Sequence, residues 1–209
     1  MPTLTPEKKR YLWTGIILVL VLVGGVFLLR LTQPGLPSVA NDFPRAKGAV
    51  NAPIQVIEYS DFQCSACQVT QAPLQEILNR RPGKIRLVFQ HFPSDGHPWA
   101  RLAHQAAECA TRQNHFWNYH DRLYQGQPLW SKSLTPPLET FIGYAQEEGL
   151  DLDLFGSCLT DPKVDLTIQE EKSAGLGLGV RSTPTFFVNG KLAVGIQGLQ
   201  AEIKKLEKS

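Results

Sequence analysis

The chain has 209 residues, of which 43% are hydrophobic and 19% charged. That is enough apolar content for one globular domain or two small ones, and too little charge for a disordered or nucleic-acid-coating chain. The net charge of +2 is local: setting aside Glu7, Lys8, Lys9, Arg10 and Arg30 leaves 17 basic and 18 acidic residues, without the basic face that phosphate-backbone binding needs.

Residues 11–29, YLWTGIILVLVLVGGVFLL, carry no charge over nineteen positions. At about 1.5 Å per residue, a helix of this length approaches the ~30 Å hydrocarbon core. The run exceeds the roughly 7–15 apolar residues of a cleaved signal peptide. A small-residue cleavage site, Ser38-Val39-Ala40, lies well past its end. The expectation is an uncleaved anchor over 11–29, with cleavage kept as the alternative. Lys8-Lys9-Arg10 precede the run and only Arg30 directly follows it. The positive-inside rule then leaves residues 1–10 in the cytoplasm and the rest beyond the cell membrane, on the periplasmic or extracellular face. Disulfides form and persist in that compartment.

Residues 30–46 contain Pro34, Gly35, Pro37 and Pro44 and read as a linker to a domain over 47–209. Residues 53–59, PIQVIEY, read as a buried strand. Cys64 to Asn79 reads as a helix with Val69, Leu74, Ile77 and Leu78 on its apolar face, and Pro73 is expected to kink it. Residues 84–92, KIRLVFQHF, form a second strand. Strand, helix and strand in about forty residues make a βαβ unit, with parallel pairing. A helical stretch of about 98–175 follows, with helices expected at 99–114, 116–124, 138–148 and 162–174. Thr185 to Val188 and Lys191 to Val194 flank Asn189-Gly190, a strong hairpin signal. A helix from Leu199 to Glu207 closes the chain. The fold class is α/β.

Cys64-Ser65-Ala66-Cys67 follows a strand and opens a helix. Residues i and i+3 share a helix face, so the two sulfurs can meet. Cys64 falls where free N–H groups and the dipole favour a thiolate, the species that attacks a disulfide. Cys67, one turn in, is shielded and suits a resolving role. A zinc half-site would want a second close pair, but Cys109 and Cys158 are forty-nine residues apart. An inert disulfide across so short a loop would stabilise little. His91, His97, His104, His115 and His120 show no metal spacing, and structural roles are expected for them. Phe116, Trp117, Tyr119 and Tyr124 read as core.

The segments Tyr59-Ser60-Asp61-Phe62-Gln63-Cys64-Ser65-Ala66-Cys67 and Gly179-Val180-Arg181-Ser182-Thr183-Pro184-Thr185-Phe186-Phe187-Val188-Asn189-Gly190 resemble the DsbA-like branch of the thioredoxin superfamily. The resemblance covers roughly residues 43–205. It implies a thioredoxin fold with a helical insert. It implies that Thr183-Pro184 forms a cis-proline loop facing the Cys64–Cys67 redox disulfide; an ordinary strand start is the alternative. It also implies that Glu58, six residues before Cys64, lies beneath that disulfide and assists proton transfer to the buried cysteine; an exposed strand-end glutamate is the alternative. Some relatives carry a second, structural disulfide in the insert, which would pair Cys109 with Cys158; two unpaired buried thiols are the alternative. Where many members have proline or histidine between the cysteines, this chain has Ser65-Ala66. No imidazole stabilises the thiolate there, which leaves a weaker oxidant or a reductant open.

The resemblance implies an extracytoplasmic thiol–disulfide oxidoreductase, with no cofactor of its own, that introduces disulfides into exported proteins with cysteines. Its reoxidant would be a quinone-linked membrane partner of the DsbB or VKOR type. A reductase or isomerase is the alternative enzyme, and a thioredoxin-fold chaperone module the alternative without catalysis.

Overall fold

A computed structural model describes residues 19–21, 24 and 43–208. The chain divides into two compact units, 1–35 and 36–209. The expected anchor over 11–29 lies almost entirely outside the described residues. Of that unit, residues 19–21 and 24 are helical. Among the described residues no helix is long and apolar enough to cross a membrane.

In the second unit the strands are β1 (Ala46–Lys47), β2 (Ile54–Ser60), β3 (Ile85–His91), β4 (Thr185–Val188) and β5 (Lys191–Val194). They form one sheet in the order β1-β3-β2-β4-β5. β2 and β3 pair in parallel, and the other pairs are antiparallel. Helix α1 (Ser65–Asn79) crosses over between β2 and β3. The insert contains α2 (Ala100–Arg112), α3 (Phe116–Trp130), α4 (Leu138–Glu147), α5 (Leu152–Leu159) and α6 (Pro162–Gly177), and α7 (Gly195–Leu206) closes the domain.

β3 is buried along its whole length and β2 nearly so, as strands covered on both faces must be. On one face Val56, Leu87, Phe186 and Val188 pack against Leu74 and Ile77 of α1 and Leu199 and Ile203 of α7. On the other, Ile57, Tyr59, Val88 and Phe187 meet Phe92 and Val180. α6 approaches this face closely. A Cβ at Gly175 would lie 2.7 Å from the Tyr59 ring, so a larger residue there would push the helix off the sheet. The insert packs its own core, which reaches the sheet through Phe62, Cys67 and Phe89. Cys109 of α2 and Cys158 of α5 are joined by a disulfide.

The hairpin between β4 and β5 turns on Asn189 and Gly190, at φ 45° and 83°. Both positive angles suit a primed hairpin turn. Asn189 also receives the Gln55 N–H on its side-chain oxygen at 2.7 Å.

Several expectations are corrected. The linker ends before 46: Phe43 packs on the sheet, Arg45 is buried in ion pairs with Glu108 and Glu171, and Ala46 opens β1. Val69 is 67% exposed, and the buried face of α1 is Cys67, Thr70, Leu74 and Ile77. α1 runs on through Pro73. α3 extends beyond Tyr124 to Trp130, through Pro128. α5 was absent from the sequence pattern. Asp151 caps it, accepting the N–H groups of Asp153 and Leu154. α7 begins four residues before Leu199, at Gly195.

Candidate active site

The site forms where β2 ends and α1 begins. Residues 61–64 make the turn, and Cys64 is the N-cap of α1, with extended backbone angles. Its carbonyl accepts the Gln68 N–H at 3.1 Å, the first bond of the helix. Because β4 runs antiparallel to β2 with Tyr59 opposite Thr185, the residues before β4 arrive beside the residues after β2. The Thr183–Pro184 bond in this segment is cis. The Cys64 sulfur lies 3.6 Å from the Thr183 carbonyl oxygen.

Both site cysteines are free thiols, with unequal surroundings. Cys64 is half-buried at the positive end of α1. Its pKa is lowered from 9.0 to about 5. Hydrogen bonding from the Cys67 thiol is the largest cause. Burial opposes it, and the Thr183 side chain and the N–H groups of Cys67 and Ala66 add to it. Cys67 is fully buried in the insert core. Burial, then the neighbouring Cys64, pushes its thiol well above the usual range. The thiolate therefore resides on Cys64 without any imidazole between the cysteines.

Glu58 is fully buried on β2, and neither carboxyl oxygen has a hydrogen-bond partner. Burial raises its pKa from 4.5 to about 7, with Ser60 and Gln71 close enough to pull it back in part. Ser60 shares the strand face of Glu58. Its hydroxyl meets the Tyr124 hydroxyl at 2.9 Å and also favours the Cys67 anion. A carboxyl that ionises near neutrality, next to a hydroxyl that also serves Cys67, is equipped to exchange a proton with the buried sulfur.

The insert holds the 61–64 turn through groups that the sequence reading missed. Gln127, buried on α3, donates from its amide nitrogen to the Phe62 carbonyl at 2.7 Å and the Cys64 carbonyl at 2.9 Å. The Gln63 side chain donates to the Ser131 carbonyl and accepts the Trp99 N–H. Asp61 accepts the N–H groups of Gln63 and Ser94 and contacts His97 Nδ1 at 2.6 Å. Burial alone would raise its pKa, but His104 and those N–H groups outweigh it and hold it low. Behind the turn, His104 Nδ1 and His91 Nδ1 are 2.7 Å apart, and His91 reaches Glu108 at 3.3 Å. One imidazole must donate to the other, so both cannot be protonated. Burial lowers the pKa of each. No spacing signal could have found these groups, because they meet only through the tertiary fold. Among the described residues no cluster of His, Cys, Asp and Glu is arranged to hold a metal.

A family model described as Thioredoxin matches residues 41–205. The chain belongs to this thioredoxin family. Its fold is the DsbA-like one: it superposes on BdbD from Bacillus subtilis with a TM-score of 0.69 at 19% identity, covering 81% of this chain and 96% of that one. α-DsbA1 from Wolbachia pipientis gives 0.68 at 24%, covering 85% and 95%. In sequence, the chain is 29% identical over 154 residues to a probable disulfide bond formation protein D of Bacillus anthracis, covering 70% of each. It is also 37% identical over 163 residues to a protein named Na(+)/H(+) antiporter NhaA 1 of Salinispora arenicola, covering 77% of this chain. The chain spans 24% of the length of that relative, so the ion transport in its name is not carried over.

Proposed function

We propose that the chain is a thiol–disulfide oxidoreductase, anchored through 11–29 with its catalytic domain outside the cytoplasm, which passes a Cys64–Cys67 disulfide to exported proteins with cysteines. The observation that carries this reading is the asymmetry of the pair: Cys64 half-buried with a pKa near 5, Cys67 buried with a raised one. A substrate thiolate attacks the Cys64 sulfur. A substrate–Cys64 disulfide forms, the Cys64–Cys67 bond breaks, and Cys67 leaves with the electron pair. Glu58, protonated near neutrality, supplies the proton that Cys67 takes up. A second substrate thiolate attacks the substrate sulfur, releasing Cys64 as thiolate and the substrate as disulfide. The Thr183 carbonyl stands 3.6 Å from the reacting sulfur, and with Pro184, which follows through a cis bond, suits contact with the substrate chain.

Thiolate stabilisation supports the oxidising direction. A low Cys64 pKa favours the reduced enzyme and so makes its disulfide a better oxidant. A value of about 5 falls between the roughly 7 of thioredoxin and 3.5 of DsbA. Restoring the disulfide requires an electron acceptor, for which a quinone-linked membrane protein of the DsbB or VKOR type fits an anchored enzyme. The test is oxidation of a reduced protein by glutathione disulfide with catalytic amounts of the full-length chain. Faster disulfide formation is expected. A change in aggregation without a change in disulfide content would show a binding module instead.

A further inference from the structure

Gln127 is 5% exposed on a helix whose neighbouring buried side chains are Tyr124 and Trp130. Burying a primary amide is unfavourable unless it is hydrogen-bonded. Its nitrogen carries two hydrogens, which match the two carbonyls it faces, Phe62 at 2.7 Å and Cys64 at 2.9 Å. The opposite amide orientation would set an oxygen against both carbonyls, so the donor orientation is the stable one. The Cys64 carbonyl is also the first acceptor of α1, taking the Gln68 N–H. Gln127 thus fixes the peptide plane at the N-cap from outside the helix. The Ala66 and Cys67 N–H groups that stabilise the Cys64 anion follow directly from that plane.

We propose that Gln127 is a positioning residue for Cys64, holding the N-cap carbonyl so that the first-turn N–H groups of α1 stay aimed at the sulfur. This rests on the reading of Cys64 as the nucleophile. By it, the helical insert tunes the redox site of the sheet domain through one amide, without touching the sulfur.

The test compares the full-length chain in detergent with Gln127→Met, which keeps length but removes both donors. The readouts are the Cys64 pKa from thiolate ultraviolet absorbance and the equilibrium with glutathione. Loss of aligned helix-end dipoles should raise the pKa by about half a unit and shift the glutathione equilibrium about threefold toward the enzyme disulfide. A Cys109→Ser, Cys158→Ser variant controls for lost stability and should leave the Cys64 pKa unchanged. A Gln127→Met chain that is less stable but has the wild-type pKa and equilibrium would overturn the proposal. If that variant does not fold, Gln127→Asn, one methylene too short to reach both carbonyls, takes its place with the same expected rise, and an unchanged pKa there is equally decisive. Failure of the wild-type chain to oxidise a reduced protein would defeat the proposed function while leaving this pKa comparison readable.

Discussion

The Cys64 sulfur and the Thr183 carbonyl oxygen are 3.6 Å apart, although 119 residues separate them in the chain. The antiparallel pairing of β2 with β4 makes this approach, since Tyr59 opposite Thr185 sets both segments at one sheet end. The Thr183 side chain is among the groups that lower the Cys64 pKa. Replacing Thr183 by Val keeps the shape and removes the hydroxyl. The Cys64 pKa should then rise by about half to one unit, the scale of one modest hydrogen bond. Thiolate absorbance against pH measures it, and an unchanged curve would remove Thr183 from the site electrostatics.

Glu58 gives a pH-dependent signature in stability. Its folded pKa of about 7 exceeds its unfolded value of 4.5, so the folded chain binds more protons between those values. Stability from this group is therefore lost as pH rises through that window, and the full cost is present above pH 7. Glu58→Gln abolishes the titration. It should be more stable than wild type above neutrality, by up to about 3 kcal/mol, with no gain below pH 4.5. Glu171, also raised to about 7, is common to both chains and cancels in the difference. Denaturant unfolding across this range measures the gain, and a pH-independent difference would contradict the account. The same variant should oxidise substrate more slowly, for want of the proton that Cys67 takes up.

Much of this architecture was legible in local sequence. Asn189-Gly190 announced its hairpin because few residue pairs accept two positive φ angles. The Cys64 to Cys67 spacing placed both sulfurs at one helix start. α5 was not legible: it has eight residues, and Leu152 and Leu154 are exposed, so its pattern is not that of a buried face. β1 was hidden because two residues carry no periodicity, and Arg45 looked like a linker charge until Glu108 and Glu171 surrounded it. Val69 was misplaced because Thr70, not Val69, shares the face of Cys67, Leu74 and Ile77. Gln127, Asp61 and His104 act through contacts tens of residues away in sequence, which spacing does not encode.

The Cys109–Cys158 bond closes a separation of 49 residues, from α2 to α5. In the chain-entropy picture this contributes about 4 kcal/mol. The double serine variant should unfold at correspondingly lower denaturant yet still exchange disulfides, because the groups that set the Cys64 thiolate are Cys67, Thr183 and Ala66. Loss of exchange in a folded double variant would assign this pair a redox role.

The anchor reading predicts that lysines after Arg30 react with a membrane-impermeant amine label in intact cells. Labelling only after lysis would reverse the topology and remove the compartment in which the proposed chemistry operates.

The division of roles between Cys64 and Cys67 is tested most directly by trapping. In Cys67→Ser the resolving sulfur is gone, so substrates joined to Cys64 should accumulate as mixed disulfides on non-reducing gels and disappear on reduction. Cys64→Ser leaves only the buried sulfur and should trap few partners and lack activity. Abundant complexes on Cys67 in the Cys64→Ser chain, with few in the reverse variant, would contradict the assignment of Cys64 as the nucleophile.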